Sequence, residues 1–330
     1  IHDSLQLIFY DVTTLAFDSQ VKTKLKSFGF SKDHRFQDTQ IVIGLVVNKE
    51  GFPLYFDIFS GDTFEGHTFL GVVSNIKTLL QADNLVVVAD AAMLSSSNIQ
   101  SLEEANIQFV VGARLGSLSQ SLIDSISSKL NNQDGKIITI TYHGQRLVCQ
   151  YLVKRAAKDK SDRLKQVEKA AGAVAAPSNI TRRFRFIKQT GKTYSLNTDL
   201  IQKAEKLEGI KGYITNTKLG SQIVVSRYHD LWQIEKSFRI TKSDLEARPI
   251  FHQLDETIKA HMVIVFAGLA ITKYIEIQTG ISIKRVLKHT NQVLTHTVKN
   301  IKTGEILEME TTIEDPKLKR MIESLRAVGH

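Results

Sequence analysis

A single cysteine among 330 residues, Cys149, excludes an internal disulfide and any zinc cluster built on thiolates. Such cysteine usage suits a reducing compartment, and a cytoplasmic location is expected. Long apolar runs are missing too: none reaches the roughly 18 residues of a membrane-spanning helix. The longest apolar-rich stretch, Met262–Ala270, reads as helical core. The opening Ile1-His2-Asp3 has no charged segment followed by an apolar one, so no secretory leader is read there. It also lacks Met, and a chain that starts inside a longer protein is expected. The ten histidines show no His-x-x-x-His spacing with an acid between. Around Ser31 and Lys32 the glycine spacing of a nucleotide-binding loop is absent, so no nucleotide cofactor is expected. No internal repeat or low-complexity linker interrupts the chain.

What is present is an ordinary globular composition, 42% hydrophobic and 23% charged, long enough for two compact units. Lys and Arg number 43 against 34 Asp and Glu, a net charge of +9. That excess suits a polyanionic partner, because each phosphate neutralised releases condensed counterions.

The first 112 residues alternate short apolar runs with helical patterns. Leu5–Tyr10 reads as a buried strand delivering Asp11 at its end. Ile41–Val47 and Phe52–Phe59 flank Asn48-Lys49-Glu50-Gly51 as a hairpin. Apolar residues at 69, 72, 73, 76, 79 and 80 give Thr68–Leu80 a helical period. Leu85–Ala89 is a continuous apolar run of parallel-strand type, ending on Asp90. Ser97–Ala105 reads as a helix and Phe109–Val111 as a strand. This chain order matches a ribonuclease-H-like core, and α/β sheets of that kind place chemistry beyond the carboxyl ends of strands.

From Gly116 to Gly212 the texture changes. Lys136–Val153 is an alternating strand pair turned at His143-Gly144, and Lys154–Lys192 is basic and polar, so a β-rich inserted module is expected. Gly212–Asn216 and Ile223–Val225 read as strands, with a long helix starting near Ser226. Thr257–Gln278 reads as a core helix, and the tail as a helix, a hairpin around Thr303-Gly304 and a basic helix after Pro316.

Tyr228, Glu235 and Lys242 lie seven residues apart, which at about 100° per residue returns them to one helical stripe. Leu231, Trp232, Ile234 and Phe238 read as the packing face of that helix. Taken alone, Glu235 could simply pair with Arg239 one turn on. Asp11 could be a turn residue before Val12-Thr13-Thr14, and Asp90 the N-cap of the next helix. Taken together, a late helical carboxylate and two strand-end aspartates form the hard oxygen set that divalent cations take. Lys22–Lys26 and Lys317–Arg320 read as solvated faces, and His252 and His261 as structural hydrogen-bonding groups.

The sequence resembles the DDE transposases of bacterial insertion sequences, in the group marked by a Tyr–Arg–Glu–Lys signature. Tyr228, Leu231, Glu235 and Lys242 stand at the signature's spacing. The stretches Tyr10–Thr14, Gly29–Arg35, Gly61–Glu65, Val87–Asp90 and Leu245–His252 look like the same group, so the resemblance covers roughly residues 5–275. It departs at Leu231, where the signature has Arg; Arg227 and Arg239 are the nearby cations. The resemblance implies Asp11, Asp90 and Glu235 as catalytic metal ligands for two Mg²⁺ ions, with Mn²⁺ able to substitute. It implies Tyr228 and Lys242 on the DNA backbone, and a β-rich insertion between the second and third carboxylates. Arg182, Arg183 and Arg185 in that insertion are further candidates for DNA contact.

The expected fold is therefore mixed α/β, a ribonuclease-H-like sheet flanked by helices and interrupted by a β-rich insertion domain. Residues 1–115 form the first part of the core, 116–212 the insertion, 213–280 the second part with the Glu helix, and 281–330 a tail. An N-terminal DNA-binding region is expected to precede Ile1. The expected activity is cleavage of double-stranded DNA at transposon ends and joining of the 3′ hydroxyl to target DNA. A homodimer assembled on DNA, without membrane association and at the nucleoid, is its expected form. The alternatives are a same-fold nuclease that only hydrolyses and a transposase-derived DNA-binding protein without catalysis.

Overall fold

The computed structural model describes residues 6–31, 35, 37–82, 84–93, 95–176, 184–191, 193–245, 247–248, 250–290, 295–310, 316, 319–320 and 322–323. In chain order the strands and helices begin with β1 (Gln6–Ala16), β2 (Gln40–Asn48), β3 (Pro53–Ser60), α1 (Glu65–Leu80), β4 (Leu85–Ala89), α2 (Ser96–Glu104) and β5 (Gln108–Gly112). Next come α3 (Gln120–Leu130), β6 (Ile137–Tyr142), β7 (Gln145–Tyr151), α4 (Val153–Ala175), β8 (Ile187–Thr190), β9 (Thr193–Leu196), α5 (Thr198–Lys206) and β10 (Ile210–Thr215). The chain continues through α6 (Ser221–His229), α7 (Trp232–Arg239), α8 (Asp255–Thr279), α9 (Ile283–Thr290), β11 (Thr295–Lys299) and β12 (Ile306–Glu310). Contacts divide it into two compact units, one of residues 1–7 and 73–231, the other of 8–72 and 232–330.

In the first unit the sheet order is β4-β5-β10-β7-β6. Strands β4 and β5 are parallel, with Val88 opposite Val110. Strand β10 is antiparallel to both β5 and β7, and β7 to β6. Every residue of β4 is buried, as its unbroken apolar run requires. The β6–β7 turn falls at His143-Gly144, as expected, with φ of +48° and +79°. A two-residue turn positive at both positions matches the right-handed twist of the strands it joins.

Residues 116–212 do not form the β-rich module expected of them, and they cluster with the rest of the first unit. The β6–β7 hairpin extends the sheet through β10, and the basic stretch after it is mostly the 23-residue helix α4. That helix was illegible because its packed face carries small and charged residues, Ala156, Asp159, Arg163 and Ala170 among them, rather than a row of large apolar side chains. Arg163 fastens it by pairing with Glu208 at 2.6 Å and Glu205 at 3.2 Å. Ile223–Val225 is likewise helical rather than extended. Val224, Val225 and Tyr228 are its buried residues, the one-and-four spacing of a helix face.

In the second unit β3, β2 and β1 pair antiparallel in that order, with Ile41 opposite Leu15 and Ser60. The β2–β3 turn is closed by Asn48, whose side chain accepts from the N–H groups of Glu50 and Phe52. Leu15, Phe17, Ile41 and Ile43 pack with Ile258, Met262 and Val265 of α8 into the core of this unit. Among the described residues α8 alone is long and apolar enough to cross a membrane by length and composition. Counting uninterrupted apolar runs missed this, since Thr272 and Lys273 break the run. Here one face of α8 packs on the core of its unit, and its buried side chains include Lys273 and Glu276, whereas Val263, Ile264 and Ile271 are exposed. Glu276 accepts from Lys236 at 2.8 Å, and its pKa is held below the usual carboxylate value. Burial opposes that shift, while Lys236, the Ile283 N–H and Lys273 overcome it.

The tail hairpin is present as β11–β12, and Gly304 has a φ of +74° in its turn. The helix expected after Pro316 lies largely outside the described residues. Lys26 departs from the solvated face expected of it: it is fully buried and donates to Gln253 at 2.8 Å.

Candidate active site

Asp90 follows β4 directly, at the carboxyl end of a buried strand, as the sequence pattern predicts. It is not the cap of α2; that role belongs to Ser95, whose hydroxyl accepts from the Asn98 N–H. Instead Asp90 Oδ1 accepts two hydrogen bonds, from the Ala91 N–H at 2.7 Å and from the Tyr228 hydroxyl at 2.7 Å. Among the described residues Oδ2 has no hydrogen-bond partner, and the residue is exposed.

Tyr228 is only 6% exposed. Its ring lies 4.8 Å from that of Tyr213, whose phenol burial pushes up to about 12. Lys211 Nζ stands 4.6 Å from the Tyr228 ring centroid. A Cβ at Gly112 would meet the Tyr228 hydroxyl at 2.5 Å, so the close approach depends on glycine there. A cavity of about 440 Å³ opens beside this group, lined by Asp90, Tyr228, Lys211, Arg155 and Arg185 among others. Lys211 and Gly112 were missed from the sequence, because their pairing with Tyr228 is long-range and no local spacing encodes it.

Asp11 is not at a strand end. β1 continues through the β-branched Val12-Thr13-Thr14 to Ala16, placing Asp11 in mid-strand opposite Leu45. It is half-buried, and its Oδ1 accepts from the Val12 N–H at 2.7 Å. Glu235 is exposed on α7 and makes no hydrogen bond or ion pair among the described residues, so the alternative reading of a Glu235–Arg239 pair is not met. Its neighbour Lys236 turns instead to Glu276.

The single long helix expected here is broken. α6 ends at His229, Asp230-Leu231 turns, α7 runs from Trp232 to Arg239, and a π turn takes Ile240–Asp244. Lys242 therefore sits in the π turn rather than on a continuous stripe with Glu235. Leu231, Ile234 and Phe238 are buried as predicted, whereas Trp232 is 51% exposed. Leu231 is 9% exposed, so the signature position that departs from Arg holds an apolar residue inside the fold. Arg227 pairs with Asp230 at 3.4 Å. Arg239 and Arg185 are exposed, and Arg182 and Arg183 lie outside the described residues. His261 Nε2 lies 3.4 Å from the Ala247 carbonyl, the structural role expected of it.

The donor chemistry fits a hard divalent cation: all three candidates are carboxylates, with open oxygens on Asp90 and Glu235. Asp90 belongs to the first unit and Asp11 and Glu235 to the second. Among the described residues no three His, Cys, Asp or Glu side chains are gathered as a metal cage.

A family model described as the transposase DDE domain matches residues 3–269. Among solved structures, the chain is similar to the piggyBac transposase synaptic complex with hairpin DNA, at 8% identity and a TM-score of 0.48. That match covers 98% of this chain and 52% of the other, so this chain spans about half of its length. The Mos1 transposase paired-end complex with left transposon end matches at 12% identity and a TM-score of 0.24, over 32% of this chain and 34% of that one. The Drosophila P element transposase strand transfer complex matches at 12% identity and a TM-score of 0.18, over 99% and 65%. No curated protein matches the chain.

Proposed function

The chain belongs to the transposase DDE-domain family, and from that premise we propose that it cleaves DNA at transposon ends and joins the freed 3′ hydroxyl to target DNA. The reading extends to the bacterial insertion-sequence group with the Tyr–Arg–Glu–Lys signature, to a ribonuclease-H-like core with residues 116–212 inserted in it, and to work at the nucleoid. One observation supports it most: Asp90, at the end of a buried parallel strand, has one carboxylate oxygen fixed by two donors and the other open.

Asp11, Asp90 and Glu235 would hold two Mg²⁺ ions, or Mn²⁺ in their place. Such ions supply positive charge that stabilises the attacking and leaving oxygens of a phosphoryl displacement. The chain's own part is to hold those carboxylates and to position the phosphate backbone. Arg239 and Arg185 are exposed cations suited to it, and Lys242 and Arg227 are further proposed contacts. Arg182 and Arg183 complete the proposed DNA contacts. No side chain need become covalently attached, since water and then the DNA 3′ hydroxyl serve as nucleophiles. One site must act on each transposon end, so a dimer on double-stranded DNA is the proposed working form.

The test is cleavage and joining of a labelled transposon-end duplex by the protein with Mg²⁺ or Mn²⁺. Asp90→Asn and Glu235→Gln should each reduce both steps to background while melting unchanged. Hydrolysis without joining would favour a nuclease. Binding without cleavage by the unsubstituted protein would favour a DNA-binding derivative.

A further inference from the structure

Tyr228 faces inward. Its hydroxyl donates to Asp90 Oδ1 at 2.7 Å, its ring is packed against Tyr213, and 6% of it is exposed. A residue that grips a DNA backbone needs its polar atom at the surface; this one has spent it on a carboxylate. Three features of the first unit hold it there. Gly112 leaves room for the hydroxyl, since a Cβ there would stand 2.5 Å from it. Tyr213 packs against the ring at a centroid separation of 4.8 Å. Lys211 places its ammonium 4.6 Å from the same centroid, within the range where a cation is attracted to an aromatic face.

The consequence falls on Asp90. With Oδ1 bound by the Ala91 N–H and the Tyr228 hydroxyl, the carboxylate cannot rotate freely, and Oδ2 stays presented. Partners that orient a ligating carboxylate in this way typically change metal affinity 10–100-fold when removed. A cation over the ring also withdraws electron density from the phenol and strengthens its O–H as a donor.

We propose that Tyr228 and Lys211 are positioning residues that act through Asp90, orienting its free oxygen toward a divalent cation, and that Tyr228 is not a DNA-backbone contact. The inference rests on the reading of Asp90 as a metal ligand. It assigns Lys211 a role that no motif gave it.

The experiment measures Mn²⁺ binding to the whole chain by electron paramagnetic resonance, beside duplex-DNA binding without metal and thermal melting. Tyr228→Phe keeps the ring and removes only the donor. It should weaken Mn²⁺ binding by about ten-fold or more and leave DNA affinity and melting unchanged. Lys211→Met should shift Mn²⁺ affinity in the same direction by less, and Lys211→Arg, which keeps a cation over the ring, should restore it. Wild-type Mn²⁺ affinity in Tyr228→Phe, or loss of DNA binding instead, would overturn the proposal. Asp90→Asn separates the two levels. If it loses Mn²⁺ while Tyr228→Phe does not, only the positioning role fails. If it too binds Mn²⁺ normally, Asp90 is no ligand, and the metal reading falls together with this one.

Discussion

Among the described residues the two longest helices are nearly equal in length and different in chemistry. α4 has 23 residues, and Ala170 is its one buried side chain. α8 has 25, and buries Ile258, Met262, Val265 and Leu269 together with the paired Lys273 and Glu276. α4 is tied by Arg163 to Glu205 of α5 and to Glu208, and by Asp159 to the Gly209 N–H, whereas one face of α8 packs in the core of its unit through Ile258, Met262 and Val265. Equal length thus says nothing about equal contribution. A helix whose packed face is made of small and charged residues gains little from propensity alone and depends on its tertiary ties.

That contrast can be broken at either helix. The largest effect is expected from Met262→Ala, which empties volume in a core where Met262 is 2% exposed. It should cost about 2–5 kcal/mol of unfolding free energy by denaturant titration. A cost near zero would mean that α8 is not the pillar of its unit. Glu276→Gln should show its effect as a pH dependence. The carboxylate's pKa is depressed from 4.5, so its contribution is complete above that value and disappears as pH falls through the lower folded-state value. The variant should therefore lose stability near neutrality and have a flatter acid limb than the parent. An unchanged acid limb would leave the depressed pKa without support. The smallest effect is expected from Leu164→Ala on α4, where the side chain is 51% exposed. It should stay within about 0.5 kcal/mol of the parent, and a loss matching Met262→Ala would erase the difference between the helices.

The same contrast explains what could be read in advance. α8 announced itself through its apolar composition, and β4 through five consecutive apolar residues before Asp90. The β2–β3 and β6–β7 turns were legible because Asn48, Gly51 and Gly144 mark the backbone geometry that each turn needs. α4 left a fainter trace, since its packed face mixes Ala156 and Ala170 with Asp159 and Arg163 and so resembles a solvated stretch. Asp11 was set at the wrong place along its strand, because Thr13 and Thr14 serve a turn or a strand equally well. The Tyr228–Glu235–Lys242 stripe assumed an unbroken helix. The break at Asp230-Leu231 and the π turn after Arg239 come from tertiary context, which no residue spacing reports. Lys211 and Gly112 meet Tyr228 only because the sheet brings their strands together, so only coordinates could show them.

Cys149 also carries a practical consequence. It is wholly buried in β7, and burial pushes its thiol up to about 12, so almost none of it is thiolate at neutral pH. Thiolate is the form that attacks maleimides and related reagents. The native chain is therefore silent to thiol labelling while folded, and a cysteine introduced at an exposed position becomes a unique handle. Ser97 in the first unit and Glu256 in the second are both exposed. Cysteines at that pair of positions, carrying a donor and an acceptor dye, would make the separation of the two units, with and without DNA, a measurable distance.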